Sequence, residues 1–190
     1  DLVTLEIDRT KGSMKLVNTT GAALSGLESV AISSSEGALD SNDWKPITDN
    51  YDNQAGPGDG SVDIDDNWQI VSATTSLLSE SVVGGNGGNL SINQEVLLSL
   101  DPNDGPWIQN PTEDVEAVLM FAGGVTRRAN VNFVGNGGAR LAIADLNFDG
   151  SISEADWTIF ISCAEQDLSA FPEAQAYQLV DLNNDGENNI

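Results

Sequence analysis

Short segments in which apolar and polar residues alternate dominate residues 2–134, and Gly, Asn, Asp and Pro separate them. This alternation is typical of β-strands with one buried face, and the separating residues favour turns. The first two segments, LVTLEIDR and KGSMKLVNTT, predict a hairpin that turns at residues 10–12. In its first strand we expect Val3, Leu5 and Ile7 to face inward, because successive side chains point to opposite faces.

Five further segments predict strands: LESVAISS from Leu27, WQIVSATTSLL from Trp68, LSINQEVLLSL from Leu90, VEAVLMFAG from Val115 and RRANVNFVG from Arg127. No helical period separates them. Seven or eight short strands in this arrangement predict a mainly β protein, with an antiparallel, jelly-roll-like β-sandwich domain over residues 1–134.

The hydrophobic period changes after residue 134. The sequence GNGGAR, residues 135–140, predicts a short linker between domains. In ADWTIFISCA, helical spacing places Trp157, Phe160, Ile161 and Ala164 on one face, and a second helix is predicted to begin at Pro172. We therefore expect a small α-helical domain over residues 141–190, which has no disulfide to stabilise it and would gain most from a metal.

One acidic loop supplies a candidate metal site. In DLNFDGSISEAD, residues 145–156, oxygen-bearing residues stand at positions 1, 3, 5, 7, 9 and 12 around Gly150 at position 6. These are the positions at which an EF-hand loop wraps Ca²⁺, and the glycine permits the sharp turn. The predicted ligands are Asp145, Asn147, Asp149, Ser151, Ser153 and Asp156. Ile152, at position 8, is expected to pack into the core of this domain.

The motifs DLNFDGSISEADW and DLNNDG resemble the duplicated loops of type I dockerin domains, calcium-binding loop-helix modules of secreted bacterial proteins. The resemblance covers residues 141–190, with the second repeat incomplete. It implies a second set of calcium ligands at Asp181, Asn183, Asp185, Glu187 and Asn189. The second copy departs from the family at Asn188, where an aliphatic residue is usual. It also stops at position 10, so we expect the natural chain to continue past Ile190.

Charge narrows the range of partners. The net charge of -23 disfavours nucleic acid and anionic membrane surfaces as partners. Because the sequence has no run of about 18 apolar residues, we expect no membrane insertion. The absence of histidine excludes Ser-His-Asp and Cys-His catalysis and His-ligated zinc. Two acidic stretches, residues 41–67 and 101–114, allow further calcium binding. Their spacing matches no defined loop, which favours solvated acidic loops.

By resemblance, dockerins bind β-sandwich cohesins on other proteins. We therefore expect a non-enzymatic, extracellular calcium-binding structural or adhesive protein that assembles through its dockerin-like and β-sandwich domains, as in a head-to-tail filament or a matrix. Self-association or a cohesin-like β-sandwich partner is expected. Asp1 at the start of the sequence is typical of a mature secreted or cell-surface protein, although a partial sequence would look the same.

Two other functions compete with this hypothesis. A carbohydrate-binding module with a dockerin anchor for a cohesin-bearing scaffold would place polysaccharide against Trp44, Tyr51, Trp68 and Trp107, which lie in or beside the long loops. Each of these aromatic residues could equally belong to the core. A glycosidase would need a carboxylate pair such as Asp63 and Asp65, but any acidic loop offers such pairs.

Overall fold

The computed structural model describes residues 3–54, 57–142, 144–147 and 149–164, and this part of the protein is mainly β. Its strands are β1 (Thr4–Asp8), β2 (Met14–Val17), β3 (Leu24–Ser33), β4 (Trp68–Thr74), β5 (Leu77–Val82), β6 (Gly88–Leu90), β7 (Glu95–Leu97), β8 (Glu116–Phe121), β9 (Val125–Arg128) and β10 (Asn130–Val134). A 3₁₀ turn (Asn136–Gly138) and one helix, α1 (Glu154–Ala164), follow. Among the described residues, no helix is long and apolar enough to cross a membrane.

The strands form two sheets. One has the order β10-β1-β2-β7, and the other has the order β4-β5-β3-β8-β9, with β6 also paired to β3. Every pair is antiparallel except β1 with β10, which run parallel from Thr4 opposite Asn130 to Asp8 opposite Val134. The expected sandwich-like arrangement of sheets is therefore present, but it is not purely antiparallel.

The first hairpin is confirmed. β1 pairs with β2 from Thr4 opposite Val17 to Ile7 opposite Met14. Val3, Leu5 and Ile7 are all at most 1% exposed, whereas the intervening side chains are half-buried. The alternation in the sequence predicted these faces correctly because only one face of this sheet packs against the core.

Three segments that looked like single strands are each divided in the structure. LSINQEVLLSL starts on the last residue of β6, turns through residues 91–94 and continues as β7. WQIVSATTSLL contains a tight turn at residues 75 and 76, where Oγ1 of Thr74 accepts a hydrogen bond from the N–H of Leu77 at 3.1 Å. RRANVNFVG changes sheet at Ala129, so that its first residues end β9 and its later residues form β10. An alternating pattern continues through these points and does not reveal the breaks.

The long loops contribute to the core rather than standing away from it. Trp107 is fully buried, and its ring contacts Phe133 edge-on with 5.1 Å between centroids. Isolated bridges join Leu39 to Trp107 and Trp44 to Ser99, which fixes both loops against the sheets. The core therefore extends from the two sheets into the loops that connect them.

Candidate cation-binding loop

The acidic loop at residues 145–156 is organised by short side-chain to backbone hydrogen bonds. Asp145 accepts the N–H groups of Asp149 at 3.2 Å and of Gly150 at 2.9 Å, one on each carboxylate oxygen. Asn147 accepts the N–H of Asp149 at 3.0 Å, and Asp149 accepts that of Ser151 at 2.9 Å. Gly150 has a φ of 85°, which suits glycine. Side-chain oxygens of Asp145, Asn147 and Asp149 therefore bond to backbone N–H groups of their own loop and hold it in one turn.

Asp156 closes the loop from the first turn of α1. Its Oδ1 accepts the N–H groups of Leu146 at 2.8 Å and Asn147 at 3.2 Å, so the last predicted ligand is bonded to the start of the loop. Its Oδ2 accepts the N–H of Ser153 at 2.7 Å, while Oγ of Ser153 accepts the N–H of Ala155 at 3.2 Å. This reciprocal pattern is a capping box, and it starts the helix at Glu154.

The carboxyl group of Asp156 is held in its charged form. Burial by itself would raise its pKa, but the N–H groups of Ser153, Asn147 and Leu146 together lower the pKa below the ordinary value of 3.8. The helix N-terminus favours the same charge state. Asp156 is therefore an anion at neutral pH.

Two buried carboxylates in this loop have no basic partner in the described part of the chain. Asp145 is 0% and Asp156 is 2% exposed, and none of the ion pairs among the described residues includes either one. Buried charges are normally paired with an opposite charge or with a metal. The donor set consists of carboxylate, amide and hydroxyl oxygens, which suits a hard cation such as Ca²⁺.

The other predicted ligands of this loop, Asn147, Asp149, Ser151 and Ser153, are exposed. The structure thus brings all six predicted positions into one turn, with the two ends of the loop buried and its middle open to solvent. The second predicted site, at Asp181, Asn183, Asp185, Glu187 and Asn189, and the second helix lie outside the described residues. Cys163 is likewise a residue whose side chain the structure does not describe.

An apolar groove of about 230 Å³ lies beside the loop. It is lined mainly by Ala144, Leu146, Ile152, Trp157 and Phe160. The expectation that Ile152 packs into a core is wrong for the described residues, since it is 65% exposed. The predicted apolar face of α1 is only partly buried: Phe160 is covered, but Trp157 is 53% and Ile161 is 45% exposed.

A second acidic group lies in the long loop before β4. Asp63, Asp65 and Asp66 each bring one carboxylate oxygen within 4.8 Å of the others, an arrangement that could hold a metal ion. Among the described residues it is the one group of three acids that approaches this closely, and the acids of the 145–156 loop do not. Asp63, which is 2% exposed, also accepts the indole N–H of Trp68 at 2.9 Å. The stretch is acidic in the sequence, but the spacing of its acids does not show which of them converge.

The aromatic residues that were candidates for sugar stacking are instead part of the core. Trp44, Tyr51, Trp68 and Trp107 are 5%, 9%, 4% and 0% exposed. The hydroxyl of Tyr51 donates to the carbonyl of Leu97 at 2.7 Å, which places it under the loop. Because the long loops fold over the sheets, none of these four rings presents a face to a polysaccharide.

The burial of two polar residues could not be predicted from the sequence pattern. Glu80, on β5, is 1% exposed and accepts N–H groups from the loop that follows Pro46. Asn136, in the linker, is 8% exposed, and its Oδ1 has no hydrogen-bond partner among the described residues. Both positions follow from how distant segments pack, which the local pattern does not contain.

Comparisons with protein-family models, with curated proteins and with solved structures found no match to this chain. The fold and the loop define a class: a mainly β, sandwich-like protein that carries an acidic, helix-linked loop near its C-terminal end.

Proposed function

We propose that this chain is a non-enzymatic, extracellular structural or adhesive subunit with a dockerin-like C-terminal module, which Ca²⁺ stabilises. In this proposal the module of one copy binds the β-sandwich of another, so that copies join head to tail. A cohesin-like β-sandwich on a different protein is the alternative partner for the same surface.

The observation that carries the calcium proposal is the pair of buried acids at the two ends of one short loop. In the described structure Asp145 accepts N–H groups, and Asp156 accepts N–H groups and the hydroxyl of Ser153, so neither faces a full positive charge. An N–H group supplies only a partial charge, whereas a divalent cation would neutralise both carboxylates at once. Residues 141–190 contain no Lys or Arg that could do so.

The assembly proposal is supported by uncovered apolar surface at two places. On the module, the exposed residues Ile152, Trp157 and Ile161 lie on and beside the loop and α1. On the sandwich, β4 is the terminal strand of its sheet, and its Ile70 and Val71 are 49% and 62% exposed. Exposed apolar side chains on an edge strand are typical of surfaces that pair with another chain.

The non-enzymatic part of the proposal is supported by the state of the candidate carboxylate pair. Asp63 is buried and bonded to the indole of Trp68, so its carboxyl group is not available to a substrate in solution. Asp65 alone cannot supply the two roles that glycoside hydrolysis requires.

Isothermal titration of Ca²⁺ into the full chain tests the metal site. We expect saturable binding that the double substitution Asp145→Asn and Asp156→Asn weakens by at least about tenfold, because both carboxylate charges are lost. The matched control is Asp101→Asn with Asp104→Asn, which removes two charges from a different acidic loop. An equal loss of Ca²⁺ affinity in both double variants would show that binding depends only on the net charge of the protein.

Sedimentation velocity in millimolar Ca²⁺ and then in a chelator tests the assembly. We expect oligomers that dissociate on chelation, and we expect Trp157→Lys or Val71→Lys to prevent them. Val125→Lys is the matched control, since Val125 is 49% exposed on β9, the strand at the opposite end of the same sheet. A monomer in both conditions would contradict self-assembly, and binding to an added cohesin domain would then favour the alternative partner.

A further inference from the structure

The linker before the acidic loop is held against the sandwich at several points. The N–H of Arg9 donates to the carbonyl of Val134 at 2.9 Å, which ties the end of β10 to the end of β1. Nε of Arg140 lies 3.4 Å from a carboxylate oxygen of Glu113, which itself is buried in the sandwich. Leu141 is 3% exposed and belongs to the same apolar core as the strands. The segment that leads into the loop is therefore packed against the sandwich.

Asn136 connects this linker to the acidic loop itself. Its Nδ2 donates to the carbonyl groups of Ala139 at 3.2 Å and Arg140 at 3.4 Å, which shapes the linker turn. A Cβ placed on Gly150 would lie 3.5 Å from Oδ1 of Asn136, so the side chain covers the outer side of the loop at its glycine. Oδ1 is buried there without a hydrogen-bond partner among the described residues, so the packing of the linker against the loop includes one unsatisfied acceptor.

We propose that the linker turn at Asn136 and the buried Leu141 fix the acidic loop to the sandwich, so that Ca²⁺ bound at the loop stabilises the sandwich against unfolding. This inference rests on the calcium site of the proposed function. In this arrangement Asn136 is a positioning residue. Two domains on a free linker would unfold independently, whereas two that share a packed junction respond together to a ligand of either one.

The experiment uses the full chain with Trp157→Phe, so that the three remaining tryptophans, all buried in the sandwich, report its unfolding. Urea unfolding is followed by tryptophan fluorescence in a chelator and in Ca²⁺ alone at 100 times the measured dissociation constant. Full coupling predicts that Ca²⁺ raises the folded-to-unfolded ratio of the sandwich by about 100-fold. Titration calorimetry on the same protein measures binding separately.

Two variants separate coupling from a general loss of stability. Asn136→Gly removes the contact with Gly150 and the side-chain hydrogen bonds to Ala139 and Arg140, while the φ of 49° at this position is one that glycine adopts readily. Insertion of Gly-Ser-Gly-Ser between Leu141 and Ala142 separates the loop from the buried Leu141 and changes no residue of the sandwich or of the loop. At the same ratio of Ca²⁺ to dissociation constant, we expect the stabilisation to fall at least tenfold with the insertion and less with Asn136→Gly.

The outcomes are distinguishable. Absence of any binding heat would refute the calcium site and, with it, the proposed function. Binding without a change in the tryptophan unfolding curve would refute the coupling alone. A calcium-dependent shift that survives the insertion unchanged would also overturn the inference, because Ca²⁺ would then act on the sandwich by another route.

Discussion

Glu80 is expected to make the sandwich less stable as pH rises through neutrality. It lies on β5 and is 1% exposed. Burial is the main cause that raises its pKa, from 4.5 to about 7, and the nearby charge of Asp52 raises it further. The N–H groups of Ile47 and Thr48, at 2.8 and 2.9 Å, and the hydroxyl of Thr48, at 3.1 Å, oppose this shift without cancelling it.

The direction of the change in stability with pH depends on whether the folded or the unfolded state binds the proton more tightly. Between about pH 4.5 and pH 7 the folded protein keeps the proton on Glu80, whereas the unfolded chain has lost it. Raising the pH through this window therefore favours the unfolded chain. The difference between 4.5 and about 7 corresponds to about 3 kcal/mol, which is fully present as stability below pH 4.5 and is lost above pH 7.

The assay is urea unfolding at half-unit steps from pH 4.5 to 8.5, in a chelator so that cation binding does not contribute. Because the chain has many other acids, the quantity of interest is the difference between the wild type and Glu80→Gln, which cannot titrate at this position. We expect the wild type to lose about 3 kcal/mol relative to the variant across the series. Glu36→Gln, at an exposed glutamate, is the matched control. Its free energy of unfolding should change with pH in the same way as that of the wild type.

Two results would refute this reasoning. Parallel curves for the wild type and Glu80→Gln would mean that burial does not alter the titration of Glu80. A wild type that gains stability with pH relative to the variant would mean that the three hydrogen bonds outweigh desolvation, so that Glu80 is charged in the fold.

Two further substitutions test single contacts. Arg9→Ala should cost about 3–5 kcal/mol of unfolding free energy by urea denaturation, because it leaves the buried carboxylate of Glu113 without its main partner. Adding Glu113→Gln to that variant should recover part of the loss, and no recovery would mean that packing, not charge, is responsible. Gly12→Ala should lower thermal stability more than Gly21→Ala, although both glycines have positive φ, of 67° and 77°. A Cβ on Gly12 would collide with the backbone carbonyl of Trp107, while the space around Gly21 is open, so equal losses would contradict the structure.

Much of the sandwich could be predicted from the alternation of side chains, because burial of one face repeats every second residue. Val3, Leu5 and Ile7 are the clearest instance. The positions at which a strand ends were harder to predict, since the turn after Thr74 and the change of sheet at Ala129 depend on long-range packing. The parallel pairing of β1 with β10 could not be predicted for the same reason.

The acidic loop was predictable because its chemistry is local. The oxygen-bearing residues and the glycine all lie within twelve consecutive positions, so a turn that joins Asp145 to Asp156 could be expected from the sequence, whereas their role as Ca²⁺ ligands stays a prediction. The burial of the loop aromatics could not be predicted in this way, because it depends on how residues 34–67 and 98–115 fold over the sheets. Trp107 shows this most clearly, since a position in an irregular, polar stretch gave no sign of its complete burial.

The charge distribution decides what kind of contact can join two copies of this chain. Six of its seven basic residues already face an acid or an aromatic ring of their own chain: Arg9, Lys15, Lys45, Arg127, Arg128 and Arg140. Few basic side chains of the sandwich therefore lack a partner in their own chain, although Arg128 and Arg140 are themselves largely exposed, and residues 141–190 carry acids and no base. Two copies repel each other at long range because of their net negative charge. In the proposed assembly, the attraction between module and sandwich would therefore come from apolar contact and bound cations. Added sodium chloride screens the repulsion over about 8–10 Å near physiological ionic strength, so at fixed Ca²⁺ we expect it to strengthen association in sedimentation. Oligomers that dissolve as salt is added would show that ion pairs hold them together, and this reasoning would then be wrong.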